Sequence, residues 1–133
     1  MRPSRDEYYM GIAKAVSRRS TCLRRQYGAV IVNNDEIVST GYNGSPRGGV
    51  NCCDTGICNR IGCAHNDGNY ANCCSVHAEM NAVISASRAE MIGATLYLAG
   101  FEDGKVIKAE PCPICKRMLE NAGIERVVGT SDE

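Results

Sequence analysis

A chain of 133 residues holds one domain's worth of core, so we expect a single domain over residues 1–133 and no separate substrate domain. Its 15 basic and 15 acidic residues cancel, so the basic excess with which proteins usually meet phosphate backbones is missing and a nucleic-acid partner is not expected. No apolar run is long enough to span a bilayer, and the charged start, Met1-Arg-Pro-Ser-Arg-Asp-Glu, lacks a secretory apolar core. No membrane partner and a cytoplasmic location follow as expectations.

In chain order, residues 5–20 read as a helix with Ser4 as N-cap, since Tyr9, Ile12, Ala13 and Val16 fall on one face. The Arg18, Arg19, Arg24 and Arg25 group after it reads as a solvated helix end, with a site for one phosphate or for a nucleotide effector as the sharper alternative. Residues 28–33 and 36–42 are two strands joined at Asn34-Asp35, a hairpin. A glycine- and cysteine-rich loop then runs over about 43–74 and holds six of the nine cysteines. A loop of that length is unusual in a compact domain unless something ties it down, and a metal is the obvious tie. The odd cysteine count and the absence of an export signal favour metal binding over disulfides.

Residues 77–91 read as one helix, with Met80, Val83, Ile84 and Ser87 on a shared face and Gly93 as its stop. Residues 94–99 are a strand, Val106-Ile107 pairs back on it, a helix opens at Pro111-Cys112 and runs to about 121, and 124–128 form the last strand. An initial hairpin followed by strand–helix–strand alternation predicts an α/β fold of three layers, α-β-α, around a central mixed sheet.

Two motifs carry the chemistry. His77-Ala78-Glu79 and Pro111-Cys112-Pro113-Ile114-Cys115 offer one imidazole and two thiols, each motif at a helix start. Three protein ligands suit a catalytic zinc, because the fourth position stays open. The positive end of a helix dipole favours thiolate over thiol, and Cys at i and i+3 project to one side. Zinc lowers the pKa of a bound water to about 7, and Glu79, which is not needed as a ligand, is the candidate general acid–base. Alone, P-C-x-x-C also builds structural zinc or redox sites. Joined to H-A-E it is the signature of zinc-dependent deaminases of nucleobases.

At these residues the chain resembles the cytidine deaminase superfamily, and within it the deoxycytidylate (dCMP) deaminases of bacteria and phages. The resemblance is carried by 27–32, by Ser39-Thr-Gly-Tyr-Asn-Gly-Ser-Pro-Arg-Gly-Gly-Val-Asn-Cys-Cys-Asp54, by 76–84, and by 93–97 with 111–128. It implies a cytidine-deaminase-like fold and zinc-dependent hydrolysis of dCMP to dUMP with release of ammonia. It also implies that His77, Cys112 and Cys115 hold the catalytic Zn2+ and that Glu79 moves protons. Asn43 would bind the sugar, the Ala78 backbone would meet the base edge, and Val30 and Ile31 would line the pocket floor. Arg88 matches an arginine near the interface and effector site of phage relatives, with a solvated helix arginine as the plain alternative. A second, structural zinc is implied on Cys22, Cys52, Cys58 and Cys73, with Cys53, Cys63, Cys74 and His65 as competitors and free thiols as the plain alternative. The resemblance further implies dCTP and dTTP as effectors and a homo-oligomer. Two features depart from the family pattern: only five residues follow the last strand, and residues 100–108 are an insertion. Other readings stay open. One is a deaminase of cytidine, of a modified pyrimidine or of adenine in RNA. The other is a non-catalytic zinc-binding nucleotide sensor.

Overall fold

The computed structural model describes residues 1–49, 51 and 75–132. Helix α1 spans Arg5–Ser17 and starts as expected at Ser4, whose side chain and Glu7 form a reciprocal capping box. It stops three residues short of the expected end, where Arg18 caps it and the Ser17 hydroxyl turns back to the Lys14 carbonyl at 2.6 Å. Strands β1 (Gln26–Asn33) and β2 (Glu36–Tyr42) form the predicted antiparallel hairpin. Its turn puts Asn34 and Asp35 at φ 52° and 59°, the left-handed region that these side chains tolerate. Tyr9 pins that turn to α1 by donating to Asp35 at 2.6 Å.

The predicted helix over 77–91 is two helices, α2 (Ala78–Ile84) and α3 (Arg88–Met91). Ser87 and Glu90 make a second capping box, and this local bonding starts a new helix where periodicity alone suggested continuation. The expected apolar face is also turned. Ala78, Glu79 and Ala82 are buried, whereas Ile84 is 76% exposed. The reason is close approach: a Cβ on Gly41 of β2 would collide with the Ala82 nitrogen and the Ala78 carbonyl. Only small side chains fit between helix and sheet at that separation.

Strand β3 (Thr95–Glu102) runs into the short β4 (Lys105–Ile107), so the 100–108 insertion is a hairpin extension of the sheet. Helix α4 (Pro113–Ala122) then crosses over to β5 (Arg126–Gly129), which lies parallel to β3. The order is β2–β1–β3, with the far edge of β3 shared by β5 along Thr95–Leu98 and by β4 along Gly100–Glu102. Alternation along the strands divides the core in two. Ala29, Ile31, Leu96 and Leu98 pack with Ala78, Ala82, Met91, Leu119 and Ala122 on one face. Val30, Val32, Tyr97 and Ala99 pack with Tyr9 and Ala13 of α1 on the other. This is the mixed sheet between helical layers that the element order predicts.

Candidate active site

The two chemical motifs meet at two helix starts on the α2/α4 face. His77 is the N-cap of α2 in extended conformation, and its side chain makes no cap hydrogen bond. Cys112 is the N-cap of α4, with Pro113 at the first helical position, where a missing N–H costs nothing. The Cys112 thiol accepts the Cys115 N–H at 3.5 Å, and Cys115, three residues on, projects to the same side. His77 Nδ1 lies 3.3 Å from Cys115 Sγ and 3.7 Å from Cys112 Sγ.

The neighbouring chain holds these starts in place. Val76 and Gly44 exchange backbone hydrogen bonds at 2.7 and 3.1 Å, which ties the residue before His77 to the end of β2. Asn81 on α2 donates to the Tyr42 carbonyl at 2.8 Å, and Ser39 to the Ala82 carbonyl at 2.7 Å. Before the cysteines, Ala109 donates to the Thr130 carbonyl at 2.9 Å, while the Thr130 hydroxyl bonds the Ile107 carbonyl at 2.7 Å.

The donors His77, Cys112 and Cys115 lie within 4.8 Å of one another and form a group fit to hold a metal. Separations of 3.3 and 3.7 Å match the edges of a tetrahedron with Zn–N and Zn–S bonds of about 2.0–2.3 Å. The electrostatics point the same way. Burial pushes the Cys115 thiol well above its usual range, and the nearby Glu79 and Cys112 push it further. Burial likewise raises the Glu79 carboxyl, partly offset by hydrogen bonds from its own backbone and from Cys115. The buried Cys115 thiol and a carboxylate that is only 5% exposed resist ionising together, and a divalent cation removes that resistance.

The other sequence-predicted residues separate. Asn43 is buried and locked: its Oδ1 accepts from Tyr27 N–H at 2.8 Å and from the Ser20 hydroxyl at 2.6 Å, and its Nδ2 donates to the Arg25 carbonyl at 2.9 Å. Ile31 lies under α2 on the site face. Val30 does not: it packs against α1, because consecutive strand residues point to opposite faces. The expectation that both line one pocket floor is corrected by that parity. Arg88 opens α3 and donates to the Asn121 carbonyl in the last turn of α4 at 3.0 Å. Cys22 is a partly buried free thiol outside the His77 group. Cys52, Cys58 and Cys73, and the competitors Cys53, Cys63, Cys74 and His65, lie outside the described residues. Of the arginine group, Arg25 pairs with Glu102 at 2.9 Å.

One residue absent from the sequence-level site stands on the same face. Tyr27 has the strand parity of Ile31, packs against the α2/α4 core, and its ring occupies the space a Gly100 Cβ would need. Its hydroxyl is buried and, among the described residues, makes no hydrogen bond of ordinary geometry. Burial pushes its pKa up and so disfavours ionisation, and the Arg25 guanidinium beside it pulls it partly back. Parity counted from Ile31 was the available signal.

The model of the cytidine and deoxycytidylate deaminase zinc-binding region matches residues 3–131. The deoxycytidylate deaminase of Mycobacterium phage D29 is 39% identical over 96% of this chain and 94% of its own length. That of Saccharomyces cerevisiae is also 39% identical over 96% of this chain, which spans only 38% of the yeast protein. Among solved structures, the dCMP deaminase of cyanophage S-TIM5 in complex with dCMP and dUMP is 30% identical, with a TM-score of 0.70 over all of this chain and 85% of that one.

Proposed function

The chain belongs to the cytidine and deoxycytidylate deaminase zinc-binding family, and we propose that within it this protein hydrolyses dCMP to dUMP and ammonia. The observation that carries the reading is the meeting of His77, Cys112 and Cys115 beside the buried carboxylate of Glu79. Full-length similarity to a phage deoxycytidylate deaminase and structural similarity to an enzyme holding dCMP and dUMP supply the substrate.

His77, Cys112 and Cys115 would hold the zinc, which when bound supplies a Lewis acid that ionises water near neutral pH. Glu79 moves the protons: it carries the two protons of the attacking water, one after the other, to the ring nitrogen and to the departing amine. Its buried position keeps bulk water from competing for that proton. Ala78 opens α2, so its backbone N–H belongs to the helix end and has no partner within the helix. That N–H is suited to a carbonyl on the base edge. Asn43 keeps one amide hydrogen for a sugar hydroxyl once its other bonds are counted, and those bonds fix its orientation.

The remaining parts of the reading rest on resemblance. The protein is a homo-oligomer that responds to dCTP and dTTP, with Arg88 near the interface. A second zinc on Cys22, Cys52, Cys58 and Cys73 orders the cysteine-rich loop. An ultraviolet assay of the zinc-loaded protein tests the reaction: dCMP is consumed in preference to deoxycytidine and guanine, and chelation abolishes turnover until zinc is returned. Unchanged dCMP, with and without dCTP, would sink the assignment. Metal analysis checks the second site, where two zinc ions per chain are expected and one would remove it.

A further inference from the structure

Among the described residues, the Tyr27 hydroxyl is the one buried side-chain polar atom without a hydrogen bond of ordinary geometry. Folded proteins leave few such groups, because a donor taken out of water and not paired again is a standing cost. Packing does not ask for it. A phenylalanine ring would fill the same space, and Ala29 and Ile31 on the same face of β1 are apolar.

Three sets of contacts place this side chain. Its own backbone brackets Asn43: the Tyr27 N–H donates to Asn43 Oδ1 at 2.8 Å, and the Tyr27 carbonyl accepts the Asn43 N–H at 3.3 Å. Its ring lies at Gly100, where an added Cβ would stand 2.8 Å from the ring and 3.2 Å from the Ala109 side chain. Ala109 begins the segment that leads into Cys112. The hydroxyl end is within the field of the Glu79 carboxylate and beside the Arg25 guanidinium. That guanidinium can only donate, and Glu102 holds it at 2.9 Å. The phenol therefore reaches from the candidate sugar residue toward the candidate acid–base carboxylate. Its hydroxyl hydrogen has no acceptor among the described residues.

We propose that Tyr27 is a specificity-determining residue whose hydroxyl donates to an oxygen of the nucleoside part of the substrate, in the space between Asn43 and Glu79. This rests on the nucleotide reading above. A site built around a hydroxyl donor rejects a ligand that offers it no acceptor, because the donor then stays buried and unpaired. Substrate and product both make the bond, so its loss weakens binding and leaves the chemical step largely alone.

Tyr27→Phe in the zinc-loaded full chain tests it. The calorimetric Kd for dUMP and for deoxyuridine should rise by the same factor, about three- to tenfold. KM for dCMP should rise alike, with little change in kcat. Without ligand the Tm of the variant should equal or exceed that of the wild type, while the Tm gained from a fixed concentration of dUMP should be smaller. Unchanged Kd and KM overturn the proposal. So does a loss confined to dUMP, which would put the hydroxyl on the phosphate, and so does a fall in kcat at constant KM, which would put it on Glu79. A ligand-free Tm lower by several degrees would give the hydroxyl a partner within the protein and overturn it too. A wild type that binds dUMP but leaves dCMP unchanged removes the deaminase reading alone, and the two Kd values then decide this one. A wild type that binds neither overturns both.

Discussion

Three glutamates stand in the first turns of three helices, and they have opposite fates. Glu7 in α1 and Glu90 in α3 accept the backbone N–H of their N-cap serines at 3.0 and 2.9 Å, and this bonding draws both carboxyls below the usual range. Glu79 in α2 has a histidine as its N-cap and no side-chain cap at all; it is buried, and burial pushes its carboxyl up. The difference teaches what distinguishes a structural helix start from a reactive one. At α1 and α3 the polar side chains close on the helix's own backbone. At α2 the histidine instead joins the Cys112 and Cys115 thiols in a group fit to hold a metal.

The largest expected effect is at Glu79. Glu79→Gln keeps the shape but cannot move a proton, so dCMP turnover should fall by about 10²–10⁴-fold, with zinc content and Tm retained. Turnover within tenfold of wild type would erase the contrast between the glutamates. Next is the polar tie between the opposite ends of the chain. Asp6 accepts from Arg126 and from the Tyr97 hydroxyl, and these bonds, Arg126 first, hold its carboxyl at about 2 against an ordinary 3.8. A lowered folded-state pKa means that the stabilisation is complete above 3.8 and is lost as pH falls toward about 2. Wild-type Tm should therefore drop faster than that of Asp6→Asn across that window, while the variant is the less stable one at pH 7. Parallel Tm curves would show that the tie contributes nothing.

A smaller effect is expected at a structural cap. Ser4→Ala should cost about 1 kcal/mol in urea unfolding and leave KM and kcat for dCMP unaltered; an activity loss there would break the division between structural and reactive helix starts. Smallest is Tyr27→Phe, which deletes a buried hydroxyl that makes no hydrogen bond of ordinary geometry among the described residues. Since an unsatisfied buried group is a cost, Tm should hold or rise slightly. A fall of several degrees would mean that the hydroxyl has a partner in solution.

The faces of the sheet show how far sequence reaches. The hairpin, the parallel crossover and the two ligand motifs were legible because each depends on short-range rules. Asn34-Asp35 supplies a turn, residues two apart share a face, and a cysteine and its i+3 neighbour open a helix together. The Ser87 capping box was also written in the sequence as Ser-Arg-Ala-Glu, but apolar periodicity masked it. Val30 and Ile31 were read together by resemblance although strand parity already separates them.

By itself the sequence determined the candidate donor set, the candidate acid–base carboxylate and the order of the strands, since identity and spacing along the chain suffice for these. Tertiary structure alone decided three things. It set the 3.3 and 3.7 Å convergence of His77 with the two thiols, because that distance is fixed by how α2 and α4 dock on a common sheet. It chose alanines over isoleucine as the buried face of α2, because the helix lies too close to Gly41 for larger side chains. It also left β5 paired on one side only among the described residues, because whether a strand is paired on both sides depends on how its neighbours are placed, which no local pattern encodes.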